Sequence, residues 1–400
     1  MRKVTILAAL MLLAPAVSQA KTLEDLLVEK GVITKGEAQA AAGAGSSKVY
    51  WNNGTRIDFP DNGFTVGIST LIQTRYTFTD GDDDTGTPNT SSFDVNHAYL
   101  TVSGTALNEE FSYVLEGDFA GSAADLTDAY LEWKACDWLS ARMGQFKTNL
   151  GRQWNTSDGH LQFADRSNVS DFFTLGRQNG ASASTSLMDG DILLSAGVYN
   201  GESDGEGQNR SGVDTNHTGI VSVRWNAMGD MNVYEEGDAG WSDDMAVSIG
   251  ASYAFADAKN DLGTGLVGTE QNIIAVDANM KYQGWSVHAE LFNDSASIDN
   301  TSAGDTEPTG FYIQGGYFVD AKTMEVAARY GYLDCDDGTA GGECAGNDNL
   351  NEVTVGLNYY WWAHHLKAQV NYSFLNSDIA GPGGEDVNTN RWIVQLSSHF

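Results

Sequence analysis

Five basic residues, Arg142, Lys147, Arg152, Arg166 and Arg177, fall within less than a tenth of a 400-residue chain that is otherwise poor in positive charge. Three acids, Asp158, Asp165 and Asp171, are interleaved with them. Two arrangements of such residues make chemical sense. The cations can line a narrow place and let anions through, because the sign of charge at the narrowest point decides which ions pass. Alternatively, they pair with the neighbouring carboxylates and pin the segment to whatever lies behind it. The sequence leaves both open. Serine, histidine and acids are all present, but there is no Gly-x-Ser-x-Gly, no His-Glu-x-x-His and no phosphate-cradling glycine loop. Neither an enzyme nor a cofactor is expected, and His364-His365 reads as an interfacial pair in a short turn rather than a metal site.

The elements that must position these residues begin with an export signal. Arg2 and Lys3 precede an apolar run from Val4 to Val17, and Ser18-Gln-Ala20 supplies small residues at the cleavage positions. Residues 1–20 therefore read as a signal peptide, too short to span a bilayer. Without it, 20 basic residues face 54 acidic ones, a net charge of −34. Nucleic acid is excluded as a partner, since phosphate binding needs a basic footprint. Residues 21–48 read as a periplasmic helical segment and linker. Thr22 can cap a helix carrying Leu23, Leu26 and Leu27 on one face, Gly31 ends it, and an Ala/Gly/Ser stretch follows.

From residue 49 to 400 the pattern changes to period two. In Val353, Val355, Leu357, Tyr359 and Trp361, or in Leu366, Ala368, Val370, Tyr372 and Phe374, every second residue is apolar. The opposite faces carry Glu352, Lys367, Gln369 and Asn371. Only 41% of residues are apolar, which suits a barrel, where alternate residues meet lipid, better than a helical bundle. In lipid only helices and closed barrels satisfy their backbone groups. The expected fold is all-β: a transmembrane antiparallel barrel of about sixteen strands, counted from Phe64, with a water-filled interior. Short turns such as Gln283-Gly284 and Asp320-Ala-Lys322 alternate with long acidic loops such as 80–92, 201–216 and 334–349, placing both termini in the periplasm. The 227–244 connection breaks this rule, being long where a short turn is expected. Trp285, Trp361, Trp362 and Trp392 lie near strand ends, as girdle aromatics do.

The inward faces carry Arg75, Arg142, Lys147, Arg224, Lys281, Arg329, Lys367 and Arg391, against Glu116, Asp118, Asp277, Glu290, Glu325 and Glu352. The wall is thus close to balanced, and the excess acid lies in loops. Asp80, Asp82, Asp83 and Asp84 form either a solvated acidic mouth or a site for divalent ions that bridge lipopolysaccharide. Cys335 and Cys344, nine residues apart in an exported chain, read as a local disulfide, and Cys136 is left over.

Ala141-Arg-Met-Gly-Gln-Phe-Lys147, followed by Phe163-Ala-Asp-Arg-Ser167 and Gly176-Arg-Gln-Asn-Gly180, resembles the phosphate-selective porin O and P family. Asn96-His-Ala-Tyr-Leu-Thr-Val-Ser-Gly104, Phe111-Ser-Tyr-Val-Leu-Glu-Gly-Asp118 and the leading helical segment resemble it too. The resemblance implies sixteen-stranded barrels in the outer membrane of a Gram-negative bacterium. They would assemble as homotrimers, each pore narrowed by an infolded third outer loop. It maps Arg142, Lys147, Arg152 and Arg166 in or beside that constriction. The expected function is passive diffusion of small hydrophilic solutes and ions, anions such as phosphate among them, with mild selectivity. The rival reading is a barrel acting as a sleeve or surface-structural element for a partner, without free conductance.

Overall fold

The computed structural model describes residues 28–32, 34–36, 47–81, 88–201, 217–258, 269–298, 305–336, 344, 346–380 and 386–400. The signal peptide, most of the helical segment and its linker, and Asp82, Asp83 and Asp84 lie outside the described residues.

Alternation of apolar and polar side chains over ten or more residues leaves a chain one way to bury its backbone polar groups in lipid, and it takes it. Sixteen strands run in sequence, each antiparallel to its neighbours: β3 (Phe64–Asp80), β4 (Thr90–Ala106), β5 (Phe111–Asp118), β6 (Asp125–Cys136), β7 (Leu139–Lys147) and β8 (Arg177–Leu187). They continue as β9 (Ile192–Tyr199), β10 (Thr218–Met228), β11 (Ala246–Ala258), β12 (Thr269–Tyr282) and β13 (Trp285–Ile298). The last five are β14 (Thr309–Asp320), β15 (Met324–Asp334), β16 (Asn347–Trp362), β17 (Leu366–Ile379) and β18 (Val387–His399). β18 pairs with β3 from Asn390↔Asp80 to His399↔Leu71, which closes the ring. Closure removes every sheet edge from the membrane zone.

Register is set by the side chains. In β15, Glu325, Ala327, Arg329 and Leu333 are buried inward, while Val326 and Tyr330 are exposed outward. A one-residue slip would put Glu325 and Arg329 into lipid, at about 2–4 kcal/mol for an Arg at the midplane. The short turn between β12 and β13 has Gln283 at φ 47 and Gly284 at φ 83, the paired positive values of a two-residue hairpin. Gly284 is also obligatory for space, since a Cβ there would meet the Trp241 ring. Aromatic pairs flank the strands at both ends, with Trp285 against Tyr317 at the short-turn end and Tyr372 against Trp392 towards the long-loop end.

Two features depart from the expected threading. A hairpin precedes the barrel, β1 (Lys48–Trp51) and β2 (Thr55–Phe59), turning through Asn52-Asn-Gly54. It pairs with the start of β3, beyond the reach of β18, and Trp51 stacks on Trp362. The 229–245 connection, in turn, does not extend into solvent but folds back inside the barrel. Cys335 and Cys344 are disulfide-bonded and buried, whereas Cys136 is free.

Candidate functional site

The segment from Thr148 to Gly176 leaves β7, crosses the lumen and returns to β8. The Thr148 amide and hydroxyl both donate to the Gly176 carbonyl at 3.1 and 3.0 Å, pinching the loop at its base. Inside it, the Ser157 hydroxyl accepts from the Gly159 amide at a 3-10 turn (Asp158–His160). Ser167 caps the short helix α1 (Asn168–Phe173), accepting from the Ser170 amide at 3.0 Å. Side-chain oxygens at these positions satisfy orphan amides, so a loop with little regular structure still holds a definite shape.

One face of the loop is bonded to the wall from β10 to β17. The Arg152 guanidinium, fully buried, donates to Asp277 (Nε–Oδ1 2.5 Å) and Ser248 (3.1 Å), while the amides of Arg152 and Gln153 donate to Glu290 at 2.7 and 2.6 Å. Arg329 is paired with Glu352 (Nε–Oε1 2.7 Å) and donates to the carbonyls of Asp165 and Arg166, both at 3.0 Å. Lys367 donates to the Leu161 carbonyl, and Arg224 to that of Gly151. Gln162 donates to Glu325 and Ser286, and its own carbonyl accepts from Asn358 and Gln369. Phe173 stacks on Phe292, 5.1 Å between centroids and 4° between planes. The loop comes so close that a Cβ on Gly316 would overlap the Gln162 amide.

The infolded turn meets the loop from the other end. Its Glu236 amide donates to the His160 carbonyl (3.1 Å), and its carboxylate accepts from the Gln162 amide and from Gln153, both at 2.8 Å. Burial alone would raise Glu236, but the His288 hydrogen bond and charge and the Gln162 amide bring it down to about 2. The turn is fixed in its turn by Asp238, which accepts from the Ser242 and Gly284 amides, and by Ala239 packed with Phe318 and Tyr360.

The other face of the loop looks towards β3–β8 and β18. On that wall Arg177 pairs with Asp128 (3.2 Å) and Glu116 (3.6 Å), and Arg142 with Glu132 (2.8 Å). His97 lies 3.0 Å from Asp118, and Arg75 3.2 Å from Asp94. From the loop, Asp165 reaches Arg75 (2.6 Å) and Arg391 (3.5 Å), and Arg166 pairs with Asp158 (2.5 Å). Burial would raise the Asp158 carboxyl, but Arg166, Lys147 and His97 hold it well below the usual range. A polar cavity of ≈220 Å³ lies between loop and wall, lined by Asn96, His97, Asp158, Asp165, Arg166 and Arg391 among others. Two larger grooves, ≈870 and ≈850 Å³, lie on the outer, lipid-facing surface between small residues such as Ala181 and Ala251 and belong to no pore.

The eleven basic positions singled out in the sequence therefore divide. Arg75, Arg166, Arg177 and Arg391 lie at the open side of the loop, Arg142 pairs with Glu132 on the same wall, and Lys147 lies under the loop, donating to the Trp154 and Thr156 carbonyls at 2.8 and 3.2 Å. Arg152, carried by the loop, is turned onto the wall, while Arg224, Lys281, Arg329 and Lys367 do point inward, but onto the loop and the infolded turn, which cover them. Lys281 is paired with Glu235 of that turn at 3.6 Å. The expectation that the whole polar face meets water is corrected accordingly, because two segments occupy half the lumen. His364, expected at the rim, is buried 3.2 Å from Lys367. Sequence reasoning missed Glu236, Gln162 and Gln153, whose roles depend on contacts between distant segments. Among the described residues no group of His, Cys, Asp or Glu is placed to hold a metal.

No curated protein matches the chain. Among solved structures, the outer membrane channel DcaP of Acinetobacter baumannii is similar over 84% of this chain and 98% of its own, with a TM-score of 0.60 and 14% identity. An anion-selective porin from Comamonas acidovorans aligns over 84% and 99%, at a TM-score of 0.54 and 15% identity. The trimer form of OmpT, an outer membrane protein of Vibrio cholerae, aligns over 84% and 99%, at 0.56 and 12%. At these identities the likeness is one of fold. The profile of one family, phosphate-selective porin O and P, matches residues 67–400, nearly the whole barrel. A closed sixteen-stranded barrel with a loop drawn across its lumen, together with that match, establishes the kinship: the chain belongs to the phosphate-selective porin O and P family.

Proposed function

We propose that this outer-membrane channel passes small hydrophilic solutes and ions by passive diffusion with weak charge selectivity. The observation that carries the reading is the pairing on the open side of the loop and on the wall it faces. Arg75, Arg142, Arg166, Arg177 and Arg391 each lie within 4 Å of a carboxylate. A pore that strips and binds one kind of anion needs cations free to replace its hydration shell; charges already matched in pairs offer little net field. The acidic loops, by the same reasoning, enrich cations at the mouth at low salt and lose that effect as screening shortens to about 10 Å at 0.1 M.

By analogy with the trimeric form of the Vibrio protein, the assembly is a homotrimer seated in outer-membrane lipid and lipopolysaccharide. The sleeve reading finds no support, because the loop and the turn fill the space that a threaded partner would occupy. Planar-bilayer recording of the purified protein tests the proposal. Conductance should appear in groups of three steps, the reversal potential in a chloride gradient should be small, and replacing chloride by phosphate should not tighten it. A strongly anion-selective current, or phosphate block at micromolar concentration, would refute weak selectivity; no defined steps would refute the pore.

A further inference from the structure

The pairing on the open side has one member that differs from the rest. Asp165 is carried by the loop, not by the wall, and its two oxygens are divided between two arginines: Oδ1 meets Arg75 at 2.6 Å and Oδ2 meets Arg391 at 3.5 Å. The arginines sit on different strands and at different heights. Arg75 is opposite Gln395, and Arg391 is opposite Thr79, four residues nearer the long-loop end. One carboxylate therefore serves two levels of the wall. Its position is fixed from behind, since its own carbonyl accepts from Arg329 at 3.0 Å and the preceding amide, that of Ala164, donates to Asn371 at 2.7 Å.

The local balance depends on this residue. Arg75 has a second partner, Asp94 at 3.2 Å, whereas Asp165 is the carboxylate within ion-pair distance of Arg391 among the described residues. The Arg391 Nε is buried without a hydrogen-bond partner. Two arginines and two acids sum to zero; removal of Asp165 leaves Arg75 and Arg391 facing Asp94 alone, so this set gains one positive charge while the cavity's other charges, Asp158, Asp171 and Arg166, stay as they are. All three side chains are accessible to water, at 19% for Arg75, 25% for Arg391 and 26% for Asp165, so passing ions would feel the change. Nothing comparable holds for the fully buried pairs behind the loop.

We propose that Asp165 determines the ion preference of this pore, acting as a loop-borne counter-charge that withholds anion selectivity from Arg75 and Arg391. The inference rests on the diffusion-pore reading above. It is tested on the full protein in planar bilayers at low salt, by the chloride-to-potassium permeability ratio. A unit charge about 6 Å from the ion path in water changes the local chloride and potassium populations by about threefold each, in opposite directions, and so the ratio by about tenfold. Asp165→Asn should raise the ratio by about that factor and Arg391→Gln should lower it similarly. The double variant should return close to wild type, and Asp165→Glu should leave the ratio in place. All the shifts should shrink at 1 M salt. A merely structural role would not give opposite signs that cancel. Single variants that leave the ratio unchanged, or move it the same way, overturn the proposal while the pore itself stands. Should Asp165→Asn yield no channels, Arg391→Gln alone must lower the ratio or the proposal fails. A wild-type protein that does not conduct removes both readings together.

Discussion

The two halves of the lumen use the same residue types to opposite ends. Behind the loop, Arg152 and Asp277 are 0% and 1% exposed, and Arg329 and Glu352 1% and 2%. In front of it, Arg75 and Asp94 are 19% and 41% exposed, and Arg142 and Glu132 33% and 25%. In the dry half, each charge is out of water and must keep its partner; the pairs act as bolts that hold the loop across the barrel. In the wet half the attraction is screened and the pairs contribute little to stability, but their charges lie beside the solute path. Solvent access, not residue identity, decides whether an arginine anchors or selects.

The sharpest way to break this contrast is to orphan a buried charge. Arg152→Ala should leave Asp277 with only Arg224, at 4.0 Å, and destabilise the docked loop, with about 3–5 kcal/mol the cost of a fully orphaned charge. The expected readouts are a lower denaturation midpoint and a larger, noisier single-channel conductance as the loop swings free. Arg152→Met with Asp277→Leu should recover only part of the loss: a buried pair is replaceable by apolar groups of similar volume, but buried Arg224 loses Asp277 as well. Glu236→Ala comes next. It strips the Gln162 amide, Gln153 and His288 of their shared acceptor, and a charge-assisted hydrogen bond contributes about 1.5–3 kcal/mol. Conductance should rise with the barrel intact by heat-modified mobility on gels.

Acid should act through His160. Its ring packs 5.3 Å from both His364 and His399. Burial, and then the neighbouring His399, Lys367, His365 and Lys281, lower it from 6.5 to about 3. Glu236, whose amide bonds the His160 carbonyl, and Asp158, at the start of the same turn, are the acids on the facing segments. The docked loop thus prefers the neutral imidazole. Docking is at full strength above about pH 6.5 and weakens as pH falls towards 3. Open-channel noise should grow over that range, and His160→Gln should flatten the dependence. The smallest effect is expected in the wet half. Arg142→Gln, a change of one charge unit at a pair that lines no cavity with the loop, should shift permeability towards cations by less than Asp165→Asn shifts it towards anions, while changing stability by less than about 1 kcal/mol; an unfolded barrel would mean that this pair belongs with the bolts.

Much of the barrel was legible beforehand because period-two alternation is a local signal. Alternation predicts a strand over residues 177–187, which coincides with β8, and fifteen more from residue 64 to 400 that overlap the observed ones, most differing by a few residues at their ends. Alternation tells which side of the wall a side chain occupies, but not what stands on that side. Arg391 and Lys367 both read as inward and both are; one meets the water-filled cavity and the other meets the Leu161 carbonyl. The difference is made by a loop two hundred residues away, which no local pattern encodes. The same holds for Glu235, Glu236 and Asp238, which look like an acidic surface turn. The β1–β2 hairpin did leave a mark, the Asn53-Gly54 pair between two alternating runs, a strong hairpin signal.

The ring closes where Phe400 and Thr70 exchange backbone bonds, the Phe400 amide donating to the Thr70 carbonyl at 2.9 Å and the Thr70 amide to the Phe400 carbonyl at 2.5 Å. That seam joins residues separated by most of the polypeptide, and every other strand must find its neighbour before it can zip shut. Until then the first strand keeps a raw edge. Assembly is therefore governed by its slowest, most distant handshake, and weakening the Thr70–Phe400 seam, by Thr70→Pro, should delay insertion far more than its few contacts in the finished cylinder would suggest.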